Sequence, residues 1–420
     1  MSLTTEAPSA NLTRQIADIP LDQIDVSNPQ YYADDTIGEY FRRLRSEAPV
    51  HYCANSAFGP YWSITRYKDI VEVDSNHRVF SSKISLGGPT LIDGRESFVR
   101  DRFMSMDPPK HDDQRKVVAP VVGPAHLSEL EQVIRDRAGQ ILDNLPVNET
   151  FDWVDRVSIE LTTQMLATLF DFPWEDRRKL TRWSNVAMAI KGSGVYETDE
   201  QREAELQECL AYFQRLWHER AKQPPKLDFI SAMAHSDVMR EMPPYEFLGN
   251  VILLIVGGND TTRNSISAGV YALNKYPQEY EKLRKNPGVV PNMVSEIIRW
   301  QTPLSHMART AVEDYQIAGK TIRKGDRVAM WYISGNRDPD AIEDPDTFVI
   351  DRPSARRHLS FGFGVHRCMG NRMAELQLKV VWEEILKRFS KIEVMGEPRR
   401  TYSNFVHGYE TLPVRISKRA

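Results

Sequence analysis

The sequence predicts a mainly α-helical protein with small β-sheets, and three observations lead to this fold class. Apolar residues recur at three-to-four spacing almost throughout the stretch from Lys110 to Ala272. Short runs rich in aromatic and β-branched residues, bounded by Gly or Pro, lie before and after that stretch. No Pro-, Gly- or Ser-rich linker divides the chain, so we expect one domain over residues 36–420, preceded by an irregular arm over residues 1–35.

The helical segments combine an apolar period with a start or stop signal. They are predicted at residues 37–49, 127–145, 157–170, 203–221, 243–276, 289–302 and 369–389. The segment 243–276 is expected to be one long helix, because Pro243 and Pro244 suit a first turn and Pro277 ends the pattern. Its middle is apolar on nearly every face, which predicts a buried central helix.

The strand segments are short and lie on either side of the helical region. Two of them, residues 50–54 and 60–67, flank a break at Gly59 and Pro60. Residues 315–333 contain further short strands separated by glycine turns. Two long segments are predicted to be irregular: residues 84–110 and 335–367.

The composition is that of an ordinary globular protein, with 41% hydrophobic and 27% charged residues among 420. Lys and Arg total 54 and Asp and Glu total 58, and the resulting net charge of −4 argues against nucleic-acid binding. The three cysteines are scattered without zinc-site spacing, which favours a reducing compartment. The longest apolar stretch, Val251–Val256, is far shorter than the ~20 residues that span a bilayer. We therefore expect a cytoplasmic monomer without a membrane span.

The segment FGFGVHRCMG, residues 361–370, carries the strongest local signal for chemistry. Its two glycines permit a tight loop with backbone φ values that other residues avoid. A helix is predicted directly after Cys368, and its free N–H groups and dipole would favour a thiolate. Such a thiolate can ligate iron. The alternative is a turn that holds an inert buried cysteine.

This loop resembles the FGxGxHxCxG haem-ligand motif of the cytochrome P-450 family. The resemblance implies the cytochrome P-450 fold, which is a single triangular haem-binding domain rich in helices. It also implies haem b as cofactor with the Cys368 thiolate as axial iron ligand, Phe361 and Gly362 against the haem, and O2 as co-substrate. Three further motifs occur in the order and at the spacing of the family, and they are described next.

The first motif is Glu296 with Arg299, which lie three residues apart on one helix face. The spacing alone would also suit an ordinary surface ion pair. The resemblance implies that this ExxR pair is buried beneath the haem and joined there by Arg352, with a structural role.

The second motif is GGNDTT, residues 257–262, in the middle of the long helix. Two adjacent glycines there cost about 1 kcal/mol each relative to Ala, so something should compensate. Close helix packing would do so, and so would room for a small ligand beside Gly257. The resemblance implies that the ligand is O2, that Thr261 donates a hydrogen bond to it, and that Asp260 relays protons.

The third motif is DPPKHDDQR, residues 107–115, in which His111 and Arg115 share one helix face. The resemblance assigns both residues to a haem propionate, together with Arg309 and His366. Each of the four could otherwise be a solvated side chain.

The activity that the resemblance implies is monooxygenation, in which RH, O2, two electrons and two protons give ROH and water. The chain has no flavin or nicotinamide segment, so electrons are expected from a ferredoxin and a ferredoxin reductase. The basic residues near the cysteine loop could meet an acidic carrier: Arg115, Lys116, Arg367 and Arg372.

The expected substrate pocket is apolar and carries no cluster of charged residues. Its candidate residues are Ile84, Leu91, Ile92, Met188, Ile255, Val256, Gly257, Leu304, Met307 and Phe405. The stretches PYWSITRYKDI, VGGNDTTRNS and PLSHMARTA are similar to the soluble bacterial alkane terminal (omega) hydroxylases. That similarity implies conversion of medium-chain alkanes or fatty acids to primary alcohols.

Three alternatives to that reading are open. The chain could oxidise a terpenoid or another apolar small molecule. It could also be a peroxide-driven hydroxylase, or a haem protein that senses gas without catalysis. The Asp260–Thr261 pair argues against the last two, because neither of them needs proton delivery to O2.

Overall fold

The structure, a computed structural model, describes residues 10–93 and 99–417. Helices account for most of this part of the chain. Their bounds are α1 Ala10–Ala17, α2 Gln30–Ala33, α3 Ile37–Glu47, α4 Tyr67–Ser75, α5 Lys110–Val118, α6 Pro124–Asp143, α7 Glu160–Leu169, α8 Arg178–Met188, α9 Asp199–Arg220, α10 Phe229–Ala234, α11 Pro244–Lys275, α12 Pro277–Lys285, α13 Val290–Gln301, α14 Tyr332–Gly335 and α15 Asn371–Arg388.

The strands form four small sheets. Their bounds are β1 Val50–Cys53, β2 Tyr61–Ile64, β3 Phe80–Ser81, β4 Thr150–Asp152, β5 Met307–Ala311, β6 Tyr315–Ile317, β7 Lys320–Ile322, β8 Arg327–Met330, β9 Glu393–Val394, β10 Arg399–Arg400, β11 Tyr409–Thr411 and β12 Pro413–Arg415. The largest sheet has the order β1-β2-β8-β5-β3, and a second has the order β4-β12-β9. In the largest sheet β8 pairs in parallel with β2 and antiparallel with β5, opposing Arg309 to Val328.

Helix α11 is the central helix that the sequence predicts. It begins with Pro244 at its first position and ends one residue before Tyr276. It packs against α7, α8, α9, α13 and α15, so most of its side chains are buried. Near its end, a Cβ on Gly269 would lie only 2.8 Å from the indole of Trp382, which shows how closely α11 and α15 approach. Within the described ranges, no helix is long and apolar enough to cross a membrane.

Two segments differ from the sequence prediction. The arm over residues 1–35 was expected to be irregular, but its described part contains α1 and α2, and Ile16 and Tyr32 are buried in a hydrophobic cluster. Residues 1–9 lie outside the described part. A π-helical turn, Val154–Ile159, precedes α7 where a regular helix was predicted. A π-helical turn has i→i+5 hydrogen bonds and takes one more residue than a regular turn, and it begins three residues before the predicted helix, at Val154.

A buried ion-pair network joins α13 to the irregular segment before the cysteine loop. Arg299 donates two hydrogen bonds of 2.8 Å to the Glu296 carboxylate, and both side chains are fully buried. Arg352 Nε lies 3.2 Å from each oxygen of the same carboxylate. The Val349 N–H donates to Glu296 at 2.9 Å. The placement agrees with the structural role that the resemblance implies for these residues.

We expect Glu296→Gln to destabilise the protein strongly, because it leaves two buried guanidinium groups without this carboxylate. Breaking a buried pair in this way costs about 3–5 kcal/mol. The loss should appear as a lower urea midpoint for helical circular dichroism and for haem absorbance.

The matched control for this variant is Asp237→Asn, which removes an ion pair to Arg240 at a carboxylate that is 87% exposed. That change should leave the urea midpoint nearly unaltered. Equal midpoints for both variants would contradict a structural role for Glu296.

Candidate active site

One large cavity lies between α11 and the cysteine loop. Its empty space is about 2060 Å³, counting the part that is open to solvent. Its lining extends from the cysteine loop to the end of α8 and to Arg202 of α9, so the cysteine and the apolar side chains of α11 share one continuous space. Gly257 and Thr261 line it from α11, and Phe361, His366 and Cys368 line it from the loop.

The cysteine loop has the tight backbone that its glycines predict. Gly362 and Gly364 have φ values of +67° and +65°, which side-chain-bearing residues rarely adopt. A Cβ on Gly364 would also lie 2.6 Å from the Asp74 carbonyl oxygen. The Cys368 N–H donates to the Phe361 carbonyl at 2.7 Å, which closes the loop. The loop therefore presents Cys368 to the cavity.

Two opposing effects act on the pKa of the Cys368 thiol. Its residue is exposed to the cavity, yet the surrounding protein raises its pKa by desolvation. The Gly370 N–H and the charges of Arg115 and Arg367 lower the pKa, but they do not outweigh that effect. The helix terminus therefore acts on the thiol in the expected direction, and desolvation by the protein opposes it. A bound metal cation would supply the missing positive charge.

Asp74, at the end of α4, ties the cysteine loop to the large sheet. Its carboxylate accepts hydrogen bonds from the Phe363 N–H at 2.8 Å and the Tyr332 hydroxyl at 2.7 Å. It also pairs with Arg309 at 2.8 Å, and both side chains are buried. The sequence analysis did not single out Asp74, because its partners are hundreds of residues away along the chain.

Two histidines face each other at the cavity wall, with ring centroids 4.3 Å apart. His111 bonds Asp112 through Nδ1 at 2.7 Å. Among the described residues, His111 Nε2 and both ring nitrogens of His366 are buried without a hydrogen-bond partner. Burial lowers the pKa of His111, and it lowers that of His366 to about 2.

These four side chains can hold an anionic group. The unpartnered ring nitrogens lie beside a cavity that Arg115 and Arg309 also line. Buried polar groups without protein partners are rare and call for a ligand or water. Arginine and histidine are suitable donors for carboxylates. The donor set therefore fits the two propionates of a haem whose iron is held by Cys368.

The two central glycines of α11 have different neighbours. A Cβ on Gly257 would have no described atom within 4 Å, whereas one on Gly258 would lie 2.7 Å from Leu166 Cδ2. Gly257 therefore leaves open space in the cavity, and Gly258 allows close packing against α7. Each explanation that the sequence left open applies to one of the two glycines.

The acid and the alcohol of the second motif point to different places. The Thr261 hydroxyl donates to the Gly257 carbonyl at 2.9 Å and lines the cavity. Asp260 is buried and is not among the lining residues. Its carboxylate pairs with Arg263 at 2.9 Å and accepts from the Ser184 hydroxyl of α8 at 2.9 Å.

The cytochrome P450 family model matches residues 147–407. The chain belongs to the cytochrome P450 family. A solved structure of CYP153D17 from Sphingomonas sp. PAMC 26605 is 50% identical, covers 95% of this chain and 100% of that one, and has a TM-score of 0.88.

Two curated relatives also cover nearly the whole chain. Linalool 8-monooxygenase of Pseudomonas putida is 35% identical over 403 residues, 94% of this chain and 99% of that protein. Methyl-branched lipid omega-hydroxylase of Mycobacterium bovis is 29% identical over 417 residues, 95% of this chain and 96% of that protein.

The protein is thus a cytochrome P450 monooxygenase that uses haem b with a cysteine thiolate ligand. When bound, the haem activates O2 so that one oxygen atom enters a C–H bond and the other becomes water. The chain itself supplies the thiolate of Cys368, the cavity, and the polar groups that flank it.

The substrate pocket of this cytochrome P450 differs in part from the prediction. Seven predicted residues line the cavity: Ile92, Met188, Val256, Gly257, Leu304, Met307 and Phe405. Ile84, Leu91 and Ile255 do not; Leu91 and Ile255 are instead buried in the hydrophobic core. Ile255 lies on a buried face of α11, and Leu91 lies in a segment whose irregular backbone gives no period from which its orientation could be predicted.

Charged residues also line the cavity, contrary to the expectation of a pocket without a charged cluster. Besides Arg115 and Arg309, they are Asp93, Arg100, Arg102 and Arg202. Arg102 pairs with Asp93 at 2.7 Å, and Arg202 donates to the Val186 and Ala187 carbonyls at 3.3 and 3.1 Å. The cavity is therefore apolar beside the first half of α11 and polar at Asp93, Arg100 and Arg102 and at Arg202 of α9.

We expect Cys368→Ala to abolish the red-shifted ferrous–CO absorption band that is typical of thiolate ligation, because no other cysteine among the described residues lines the cavity. Cys53→Ser and Cys209→Ser remove buried thiols elsewhere and should leave the band intact. Persistence of the band in Cys368→Ala would overturn the assignment of the ligand.

Proposed function

We propose that this cytochrome P450 hydroxylates the terminal carbon of medium-chain alkanes or fatty acids, with electrons from a ferredoxin and its reductase. The observation that supports this proposal most directly is the cavity beside Thr261 and Cys368, because aliphatic and aromatic side chains form a large part of its wall. They include Ile252, Val256, Leu304, Met307 and Phe405. The relative named as an omega-hydroxylase supports the same position of attack.

Hydroxylation of the terminal carbon requires a cavity that confines the substrate, because a methyl C–H bond is stronger than the neighbouring methylene C–H bonds. A substrate that can turn freely reacts at the weaker bond. Leu304 is well placed to prevent such turning, because it forms a β-bridge with Val406, and the Ser305 N–H donates to the Phe405 carbonyl at 2.8 Å. A side chain on a doubly supported backbone resists displacement by a chain end.

A terpenoid is the second candidate substrate, since a relative is named linalool 8-monooxygenase. The polar side of the cavity suits a substrate with one polar end: the carboxylate of a fatty acid or the hydroxyl of a terpenoid could lie near Arg102 or Arg202 while the apolar end lies beside α11.

Binding titrations with alkanes, fatty acids and terpenoids, followed by the low-spin to high-spin change of the haem, would rank the three classes of substrate by affinity. Tightest binding of a cyclic terpenoid would reject the chain-end proposal.

Proton supply is assigned to Thr261 and Asp260. Thr261 faces the cavity and can turn its hydroxyl from the Gly257 carbonyl towards a ligand. Asp260 lies next to it but is engaged by Arg263 and Ser184, so its carboxylate must leave these partners before it can carry a proton. General acid catalysis needs the acid within reach of the reacting oxygen or one water away.

Electrons are proposed to enter at the surface next to the cysteine loop. Lys116, Arg367 and Arg372 are exposed there, and Arg115 donates to the Arg367 carbonyl at 2.7 Å. A cationic surface of this kind favours an acidic carrier such as a ferredoxin. We also propose that the protein is a cytoplasmic monomer. Its three free cysteines favour a reducing compartment such as the cytoplasm.

We expect Thr261→Ala to keep haem and substrate binding but to uncouple the reaction. Without the hydroxyl, protons reach the oxygen less selectively, and O2 leaves as H2O2. Product formed per NADH consumed should fall while H2O2 rises, in assays with added ferredoxin and reductase. Thr261→Ser keeps a hydroxyl at the same position and should retain most of the coupling. Unchanged coupling in Thr261→Ala would remove this residue from the mechanism.

We expect Leu304→Ala to raise the share of 2-octanol formed from octane, because it widens the cavity and lets the chain slide. Gly257→Ala should shift the ratio of 1-octanol to 2-octanol as well, since its methyl group enters open space and narrows the cavity. Gas chromatography of the alcohols measures both effects.

The control for the octane experiment is Leu283→Ala, which removes the same side chain from a buried position that does not line the cavity. It should lower stability without changing the products. Mostly subterminal alcohol from the wild type would reject terminal hydroxylation and leave the monooxygenase assignment standing.

A further inference from the structure

His306 is a fully buried histidine in the segment PLSHMARTA, and no step described above uses it. It lies between Leu304 and Met307, which both line the cavity. Its ring packs against Trp331 and Phe405, with centroid distances of 4.7 and 5.4 Å. A buried ring with two polar nitrogens at this place needs partners for both.

Both ring nitrogens of His306 do have partners, and the partners come from two different loops. The Leu91 N–H lies 3.2 Å from Nε2, and the Asn404 carbonyl oxygen lies 3.1 Å from Nδ1. A backbone N–H can only donate, so Nε2 is the acceptor and Nδ1 carries the proton that is donated to Asn404. This tautomer is neutral, in keeping with burial, which lowers the pKa of His306 to about 3.

The two loops that His306 joins each supply residues of the cavity wall. Ile92 follows Leu91, and Phe405 follows Asn404; both line the cavity. Backbone hydrogen bonds attach each loop to the strand segment that carries His306: Ala308 N–H to the Pro89 carbonyl at 2.6 Å, and Ser305 N–H to the Phe405 carbonyl at 2.8 Å. The histidine ring adds a link from one loop to the other, across that strand.

We propose that His306 is a specificity-determining positioning residue that fixes the separation between Ile92 and Phe405. This inference rests on the proposed oxidation of an apolar chain in this cavity. Without an acceptor at position 306, the buried Leu91 N–H loses its hydrogen-bond partner. The loop that contains Leu91 then moves until this N–H finds another acceptor. The cavity wall then becomes wider or more variable, and the substrate can present more than its chain end.

The experiment compares three variants as haem-loaded full-length proteins with octane. His306→Phe keeps an aromatic ring but makes neither hydrogen bond, and His306→Gln offers an amide that can donate and accept. His51→Phe is the matched control, because His51 is a buried histidine bonded to the Leu21 carbonyl and does not line the cavity.

In His306→Phe, the ratio of 2-octanol to 1-octanol should rise roughly threefold or more. This change is modest, because one methylene group in an apolar pocket already alters discrimination between two substrates about 10- to 200-fold. His306→Gln should restore much of the wild-type ratio, and His51→Phe should leave it unchanged. An unaltered ratio in His306→Phe would overturn the proposal, and so would an equal shift in His306→Phe and His306→Gln.

A measurement on the wild type keeps the test valid if His306→Phe does not fold. The Leu91 amide should exchange with solvent slowly, and imidazole nitrogen shifts should show a neutral ring with the proton on Nδ1. Fast exchange at Leu91 or the opposite tautomer would overturn the proposal. A wild type that forms mainly subterminal alcohol would reject terminal hydroxylation, whereas the role of His306 is judged on the change between variants.

Discussion

The buried Glu296 carboxylate organises the part of the chain that has no regular structure. It accepts from Arg299 of its own helix and from Arg352 of the segment that leads to the cysteine loop. Arg299 also donates to the Asn336 and Pro345 carbonyls at 2.9 and 2.7 Å. The conformation of the segment between α14 and α15, which includes the cysteine loop, would otherwise depend on turns alone. Its one regular element is the short 3-10 turn Gly364–His366. Charged groups of this kind are costly to bury, so the segment is held in the one arrangement that satisfies all of them.

Helix α11 performs several tasks because its neighbours differ along its length. Gly257 leaves space in the cavity, Gly258 admits Leu166, and Gly269 admits Trp382. A helix with a larger apolar side chain at position 257 could pack equally well elsewhere, but that side chain would fill part of the cavity. The glycines lower helix stability, and burial of the surrounding side chains offsets that loss.

Much of the fold follows from patterns that are local in sequence. Prolines at both ends and an apolar period predicted α11 to within one residue at each end, and the FGFG run predicted the positive φ values at Gly362 and Gly364. The raised pKa of the Cys368 thiol could not be predicted in this way, since desolvation depends on how much protein surrounds the sulfur.

The groups that sequence reasoning missed depend on contacts between distant segments. Asp74 ends an amphipathic helix and would pass for a solvated carboxylate, yet its partner Arg309 is 235 residues away. His306 contacts Leu91 and Asn404, which flank it at separations of 215 and 98 residues. The direction of the Asp260 side chain was likewise decided by Ser184, which lies on another helix.

Helix α8 contacts both the substrate side and the acid side of the site. Ala187 and Met188 at its end line the cavity, while Ser184 bonds Asp260 and Asn185 bonds Arg263 at 2.8 Å. A displacement of α8 would therefore change the cavity wall and the hydrogen bond to the Asp260 carboxylate together. By reciprocity, a substrate that binds better after such a shift also favours release, and release favours that substrate to the same extent. The fit of the substrate and the freedom of the Asp260 carboxylate would then be measured as one coupling free energy.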